Sequence, residues 1–271
     1  TERIFKEDRV YSKHTVRTTK GSHLVYKGKI AGHAVVIQAR NDRRIFFVIP
    51  WMGNTLIGTT ATDFSGSPDH VVCDKEDVSF LISETRRVFP SLNIEEKNII
   101  SSFAGLRPLV HADGQPSKVS RKHEIETVAS GVTYVMGGKY TTYRRIAEDC
   151  LKKFMYLKTR SEFEYPLYGS GTPTEPPAEI AAQFGVKEET VEYLFGKYGM
   201  KYTDVLSLTR QDPAFKHELC DCSPAIGAQV VYAIETEMAQ NVDDVLTRRL
   251  GLAYIPCSSG RCRSWRRTRC C

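Results

Sequence analysis

Apolar and polar positions along this chain fall into two textures. Up to about residue 160, β-rich runs alternate with short polar turns. "HLVYKGKI" is followed by "AVVIQA" and "RIFFVIPW", separated by Asn41-Asp42, and then by "TLIGTT", closed by Gly58. Branched and aromatic residues in runs this short, joined by turn residues, predict neighbouring antiparallel strands. A helix follows. Asp74 is its predicted N-cap, Val78, Leu81, Ile82 and Val88 recur at helical spacing, and Pro90 stops it. "NIISSFAGLRPLV", "HEIETVASG" and "VTYVMGG" then read as strands. Another helix begins near Thr142, with Ile146, Ala147, Cys150, Leu151 and Phe154 along one face.

The texture breaks at "YPLYGSGTPTEPPAE", residues 165–179, which is dense in Pro, Gly and Thr and has no periodicity. It reads as a linker. Beyond it, "PAEIAAQFG", "KEETVEYLFGKYG", "YTDVLSLTRQ", "SPAIGAQVVYAIETEMAQ" and "NVDDVLTRRLGL" are short and amphipathic, several ending in Gly. Residues 180–256 are therefore expected to form a small all-helical domain.

Composition changes little: at 41% hydrophobic and 26% charged, the 271 residues are those of an ordinary globular protein. No apolar run approaches the roughly 18 residues that span a bilayer, and "TERIFKEDRVYSKHTVR" has no secretory h-region. With no initiator Met, that opening reads as a fragment would. The net charge of +6 misleads, because "CSSGRCRSWRRTRCC", residues 257–271, holds five arginines and no acid. The same tail holds four of the eight cysteines, at spacings that fit no zinc pattern, and it reads as an irregular basic end. No metal and no nucleic acid are expected. Cys73, Cys150, Cys220 and Cys222 are dispersed and read as small apolar fillers in a reducing compartment, not as a disulfide framework.

Three polar constellations interrupt the strands. His23 in "KGSHLV" stands directly before an apolar run, where a histidine satisfied by backbone is the plain reading. Arg107 stands in the otherwise apolar "GLRPLV", a setting that calls for an anion, either a ligand or an internal carboxylate. Arg121 opens the next strand, where a solvated turn charge is the commoner case. Last comes "VMGGKYTTYRR", in which a strand meets a helix across Gly137, Gly138 and Lys139. A helix amino terminus carries unpaired N–H groups and partial positive charge, the glycines allow close approach, and Thr141 or Thr142 can cap the helix or donate to a ligand. A capped turn accounts for the Gly and Thr residues but not for Lys139. The spacing is not that of a Walker loop. A site for a negatively charged or electron-rich small molecule is the reading from physics.

At these residues the chain resembles FAD-dependent glycerol-3-phosphate dehydrogenases. "KGSHLV", "FFVIPWMGNTLIGTTATDF", "SSFAGLRPLV", "VSRKHEI", "VMGGKYTTYRRIAEDC" and "TEMAQNVDDVLTRRLGL" occur in that family's order, from about Thr19 to Leu252. The resemblance implies an α+β chain: an antiparallel-sheet substrate domain (1–130), a remnant of an FAD-binding domain (131–164), the linker, and the helical domain. The "GxGxxG" Rossmann loop is absent, so an amino-terminal part of the enzyme is expected to be missing. The implied reaction is oxidation of sn-glycerol 3-phosphate to dihydroxyacetone phosphate by hydride transfer to FAD, with electrons passed to quinone. Oxygen is the alternative acceptor, and a non-catalytic partner-binding module the alternative in kind. His23 is implied as the general base, with Lys139 the less favoured candidate. Arg107 and Arg121 line the substrate site together with His23. Gly137, Gly138, Lys139, Thr141 and Thr142 lie beside the flavin, and Thr59 and Thr60 either approach it or buttress Arg107. Where the family has Asp after those threonines this chain has Ala61, and where Leu is commoner it has Tyr140. Implied partners are the substrate, the quinone, a peripheral membrane contact at the cytoplasmic face, and a second copy of the chain.

Overall fold

The structure is a computed structural model describing residues 16–40, 43–110, 122–155 and 165–256. Arg121, the Asn41-Asp42 turn and the basic tail lie outside these residues. The chain divides into two compact units, Thr1–Glu162 and Phe163–Cys271. It is a mixed helix-and-sheet protein, and among the described residues every sheet is antiparallel.

In the first unit, β1 (Val16–Tyr26), β2 (Val35–Gln38), β3 (Ile45–Trp51), β4 (Asn54–Gly58) and β5 (Thr62–Asp63) are followed by helix α1 (Lys75–Val88) and β6 (Ile99–Val110). The sheet runs β2-β3-β4-β1-β5, and β6 lies along the other edge of β1. β1 is the long central strand. It pairs with β6 from Val16↔Val110 to Tyr26↔Ile99, while its opposite edge is shared by β4 (His23↔Gly58) and β5 (Lys20↔Thr62). Alternation decides the two faces. Leu24, Tyr26, Ile37, Phe46, Val48 and Ile57 point one way and are buried with Leu81 and Ile82 of α1. That helix starts as its sequence predicts: Asp74 Oδ1 accepts from the Asp77 amide at 2.9 Å, and the Asp77 carboxylate caps in return. A second hairpin, β7 (His123–Thr127) with β8 (Thr133–Gly137), buries Tyr134 and Met136 against Val110, and helix α2 (Tyr143–Met155) follows it.

The second unit contains α3 (Pro177–Phe184), α4 (Glu188–Tyr198), α5 (Tyr202–Leu208), β9 (Glu218–Cys220), β10 (Ser223–Ile226) and α6 (Gly227–Glu235). A π-type turn at Asp244–Arg249 closes it. Three expectations need correction. The unit is not all helical: "SPAI" pairs as β10 with β9, because Ala225 and Ile226 alternate into two different cores while the helix waits until Gly227. Cys220 and Cys222 are not separate fillers but are disulfide-bonded to each other across that hairpin. The stretch read as a linker is fastened to this unit. Gly169 O accepts from the Met200 amide at 2.8 Å, the Tyr168 and Tyr232 hydroxyls are 3.1 Å apart, and α3 already begins at Pro177. Pro and Gly mark an irregular backbone there, not a loose one.

Candidate active site

The face of β1 turned away from α1 carries Thr19, Gly21, His23 and Val25. Register places Gly58 of β4 on one side of His23 and Phe103 of β6 on the other. The imidazole stacks on Phe103 with ring centroids 5.1 Å apart and planes 11° from parallel. It also lies over Gly58, where a Cβ would overlap the ring. Arg107 pairs with Thr19 and folds back over Gly21, where a Cβ would overlap the guanidinium. Two glycines on adjacent strands thus make the floor on which His23 and Arg107 lie side by side.

Threonines hold the guanidinium. Arg107 Nη2 donates to Thr59 Oγ1 at 2.6 Å and Nη1 to the Thr60 carbonyl at 3.2 Å. Both threonines buttress Arg107 by these contacts. Thr60 is itself locked into β1: its hydroxyl accepts from the Ser22 amide at 2.9 Å, and its amide donates to the Ser22 carbonyl at 3.3 Å. Ser22 Oγ passes through to the core face and donates to Asp77 Oδ2 at 2.6 Å, beside Lys20 Nζ at 2.7 Å. Lys20 also pairs with Asp74. A buried charge needs partners of this kind, and here the pairing carries the rigidity of α1 through the sheet to Arg107. Sequence reasoning missed Lys20, Asp77, Gly21 and Phe103. A lysine inside "TTKGSHLV" was the one available signal. Asp63, two places after Ala61, does not restore the family's carboxylate to Arg107; it pairs with Arg17 at 2.5 and 2.6 Å.

Burial, and then the neighbouring Arg107 charge, push the His23 pKa down to about 4. The imidazole is neutral at pH 7. Its Nδ1 is buried without a partner, and Nε2 makes no hydrogen bond among the described residues. A neutral ring with one open nitrogen is a proton acceptor.

Beyond the end of β8, Gly137 and Gly138 have φ of 69° and 89°, values that disfavour side chains. A Cβ at Gly137 would sit 2.8 Å from the Lys122 carbonyl, and one at Gly138 would sit 2.6 Å from Ile146 Cδ1. The Lys122 backbone therefore requires glycine at 137, and backbone conformation favours it at 138. Neither Thr141 nor Thr142 caps α2. A 3₁₀ turn, Tyr140–Thr142, intervenes, Lys139 takes the extended N-cap position, and the Thr142 hydroxyl donates back to the Lys139 carbonyl at 3.0 Å. The outer side of this turn, from Lys139 to Tyr143, is exposed. The expected apolar face of α2 is only partly covered: Ile146 and Cys150 are half-buried, Ala147 is exposed, and Leu151 and Phe154 are 47% and 51% exposed. His123 Nε2 lies 3.2 Å from Asp149 Oδ2, which fastens α2 to β7. Val110 packs against the Gly137 turn, three residues or about 10 Å along β6 from Arg107. Thus His23, Arg107, Thr59 and Thr60 meet directly. The Gly137–Lys139 turn adjoins the same strand end.

A family profile described as "FAD dependent oxidoreductase" matches residues 4–144, more than half of the chain. The chain belongs to that family. Residues 163–262 of this member of the family match a second profile, the C-terminal domain of alpha-glycerophosphate oxidase. A glycerol-3-phosphate dehydrogenase of Synechocystis is 30% identical over 252 residues, covering 88% of this chain and 45% of the relative. An aerobic glycerol-3-phosphate dehydrogenase of Staphylococcus aureus is 30% identical over 263 residues, covering 89% and 46%. Among solved structures, the glycerol-3-phosphate dehydrogenase of Bacillus halodurans complexed with FAD superposes with a TM-score of 0.78 at 25% identity, covering 98% of this chain and 54% of that one. The chain spans about half the length of the curated relatives it matches. Among its described residues no helix is long and apolar enough to cross a membrane.

Proposed function

We propose that this chain provides the substrate face and part of the flavin face of an enzyme that oxidises sn-glycerol 3-phosphate to dihydroxyacetone phosphate. One observation carries the reading: a guanidinium fixed by Thr59 and Thr60 lies beside a neutral imidazole on a glycine-floored sheet face. FAD, when bound, supplies the acceptor for the hydride leaving C2. His23 Nε2 takes the C2 hydroxyl proton, with the other ring proton kept on the enclosed Nδ1. Arg107 presents its donors in a rigid fork, so one side chain serves the threonines and a phosphate or C2 oxygen together. Arg121 is proposed as a second guanidinium for the substrate. Lys139 and the unpaired N–H groups opening α2 are proposed to hold the electron-rich edge of the flavin, with Gly137, Gly138, Thr141 and Thr142 lining its approach. That turn fits such a role because the two glycines pack inward and leave its outer side open. Lys139 as base is the weaker assignment, since its exposure leaves the ammonium solvated.

Quinone is the proposed electron acceptor, with the enzyme in peripheral contact with the cytoplasmic face of the membrane and a second copy of the chain as a further partner. Oxygen is the second reading, favoured by the oxidase description that covers residues 163–262. Peroxide released in step with substrate consumption selects oxygen; reduction of an added quinone without peroxide selects quinone. The substrate assignment is tested by titrating the protein with glycerol 3-phosphate and with glycerol, and by assaying it with added FAD. Arg107→Ala is expected to weaken glycerol 3-phosphate binding at least tenfold, leave glycerol unaffected, and remove most turnover. Unaltered turnover in that variant overturns the role of Arg107. A protein that binds neither flavin nor glycerol 3-phosphate is instead the non-catalytic module.

A further inference from the structure

The β9–β10 hairpin carries a disulfide that contributes little as a staple. Cys220 ends β9, Ser223 opposite it opens β10, and Asp221 and Cys222 form the turn between them. The Cys220–Cys222 bond spans a sequence separation of 2, and closing so short a loop removes little entropy from the unfolded chain. The hairpin is held without it. Ile226 pairs with Glu218, the Gly227 amide donates to the His217 carbonyl at 3.0 Å, and Ala225 and Ile226 are both buried in core clusters. Nor does the bond belong to a disulfide framework, since Cys73 and Cys150, the other cysteines among the described residues, are free thiols. The two sulfurs also differ in access. Cys220 is 3% exposed, whereas Cys222 is half-buried in the turn, next to the exposed Asp221. An incoming thiolate therefore meets Cys222 first, and Cys220 is the leaving group. Cys220 Sγ accepts from the Cys222 amide at 3.1 Å, a donor that stabilises this sulfur as negative charge arrives on it. The two Cα atoms are 5.3 Å apart, within the span of a disulfide. Strand pairing keeps them there, so the thiols of an opened pair stay placed to reclose.

We propose that Cys220–Cys222 is a reversible exchange site for low-molecular-weight thiols, entered at Cys222. A thiolate attacks Cys222 Sγ, forms a mixed disulfide there and expels the Cys220 thiolate. A second thiolate attacks the small-molecule sulfur of that mixed disulfide and expels the Cys222 thiolate. The pair thereby gains two electrons and two protons, and the two small thiols leave joined as one disulfide; that disulfide in excess runs the sequence backwards. The test equilibrates the full native chain in glutathione buffers spanning the cellular range of poise, blocks thiols with N-ethylmaleimide, and reads each cysteine by mass spectrometry. The pair is expected to pass from closed to open across that range and back again, with the circular dichroism spectrum unchanged. With oxidised glutathione, adduct formation should be at least tenfold faster in Cys220→Ser, which keeps the accessible sulfur, than in Cys222→Ser. A pair that stays closed in reduced glutathione until urea is added is a structural bond, and a pair that stays open in oxidised glutathione is no couple; either result overturns the proposal. An adduct forming as fast on Cys220 as on Cys222 overturns entry at Cys222.

Discussion

His23 sits where strand pairing, not local sequence, fixes its surroundings: Gly58 beneath the ring, Phe103 stacked on it, Arg107 alongside. The consequence is measurable without any substrate. Its folded pKa, about 4, lies below the ordinary 6.5, so between these values the unfolded chain binds a proton that the folded chain refuses. Stability is therefore level above pH 6.5 and falls as pH drops toward 4, by up to roughly 3 kcal/mol from this group. Urea midpoints at pH 7.5 and 4.5 check this. His23→Asn should shrink the difference between them, and an undiminished difference shows that the imidazole is not held neutral. Arg107→Lys is the companion case. A single ammonium cannot hold Thr59 Oγ1 and the Thr60 carbonyl in one plane as the fork does. Under the proposed function, kcat/KM falls at least tenfold while the urea midpoint at neutral pH moves little.

Among the elements, α1 was the most legible and the start of α2 the least. Asp74 three residues before Asp77, ahead of an apolar repeat, is a purely local capping signal, and the structure uses it twice, in the cap and in the pair with Lys20. Asp74→Ala should cost about 0.5–2 kcal/mol, the usual range for a lost cap, measured by urea denaturation. In α2 the same reasoning failed for Thr141 and Thr142, because Lys139 is held extended by the glycine turn and the chain enters through a 3₁₀ turn. That turn answers to the Lys122 backbone of the neighbouring strand's entry and to Ile146 in the first turn of α2, contacts that no capping rule includes. The floor glycines were invisible for a like reason. Gly21 and Gly58 sit in unremarkable strand sequence, and only register shows what lies over them. Gly58→Ala should displace the imidazole. The His23 ring resonances in NMR should shift and the low pKa return toward 6.5, while Gly32→Ala, where a Cβ meets nothing, should leave both unchanged.

At the scale of the whole molecule there are separate apolar cores. Leu81, 0% exposed, belongs to the cluster beneath the six-stranded sheet, and Leu194, also 0% exposed, to the cluster among α3, α4, α5 and α6; the two clusters share no residue. Leu81→Ala and Leu194→Ala should each cost about 2–5 kcal/mol. Hydrogen exchange should accelerate in the core that lost the methyl groups and less in the other. Equal acceleration in both cores for either variant would show that they behave as one. The boundary between the two textures was marked in the sequence by the aperiodic stretch dense in Pro, Gly and Thr, whereas the small β9–β10 hairpin inside the helical texture was not. Three- and four-residue strands, one containing Pro224, carry too few alternations to announce themselves.

By itself the sequence determined the strand and helix order of the first unit, the α1 cap, and the family, since each rests on residues close together or on motifs in fixed order. Tertiary structure alone decided that Thr59 and Thr60 clamp Arg107, that Lys20 and Asp77 brace them from the opposite face, and that His23 is neutral. Those are relations between strands 35 to 90 residues apart, and a one-residue change of register would have turned every one of these side chains to the other face of the sheet.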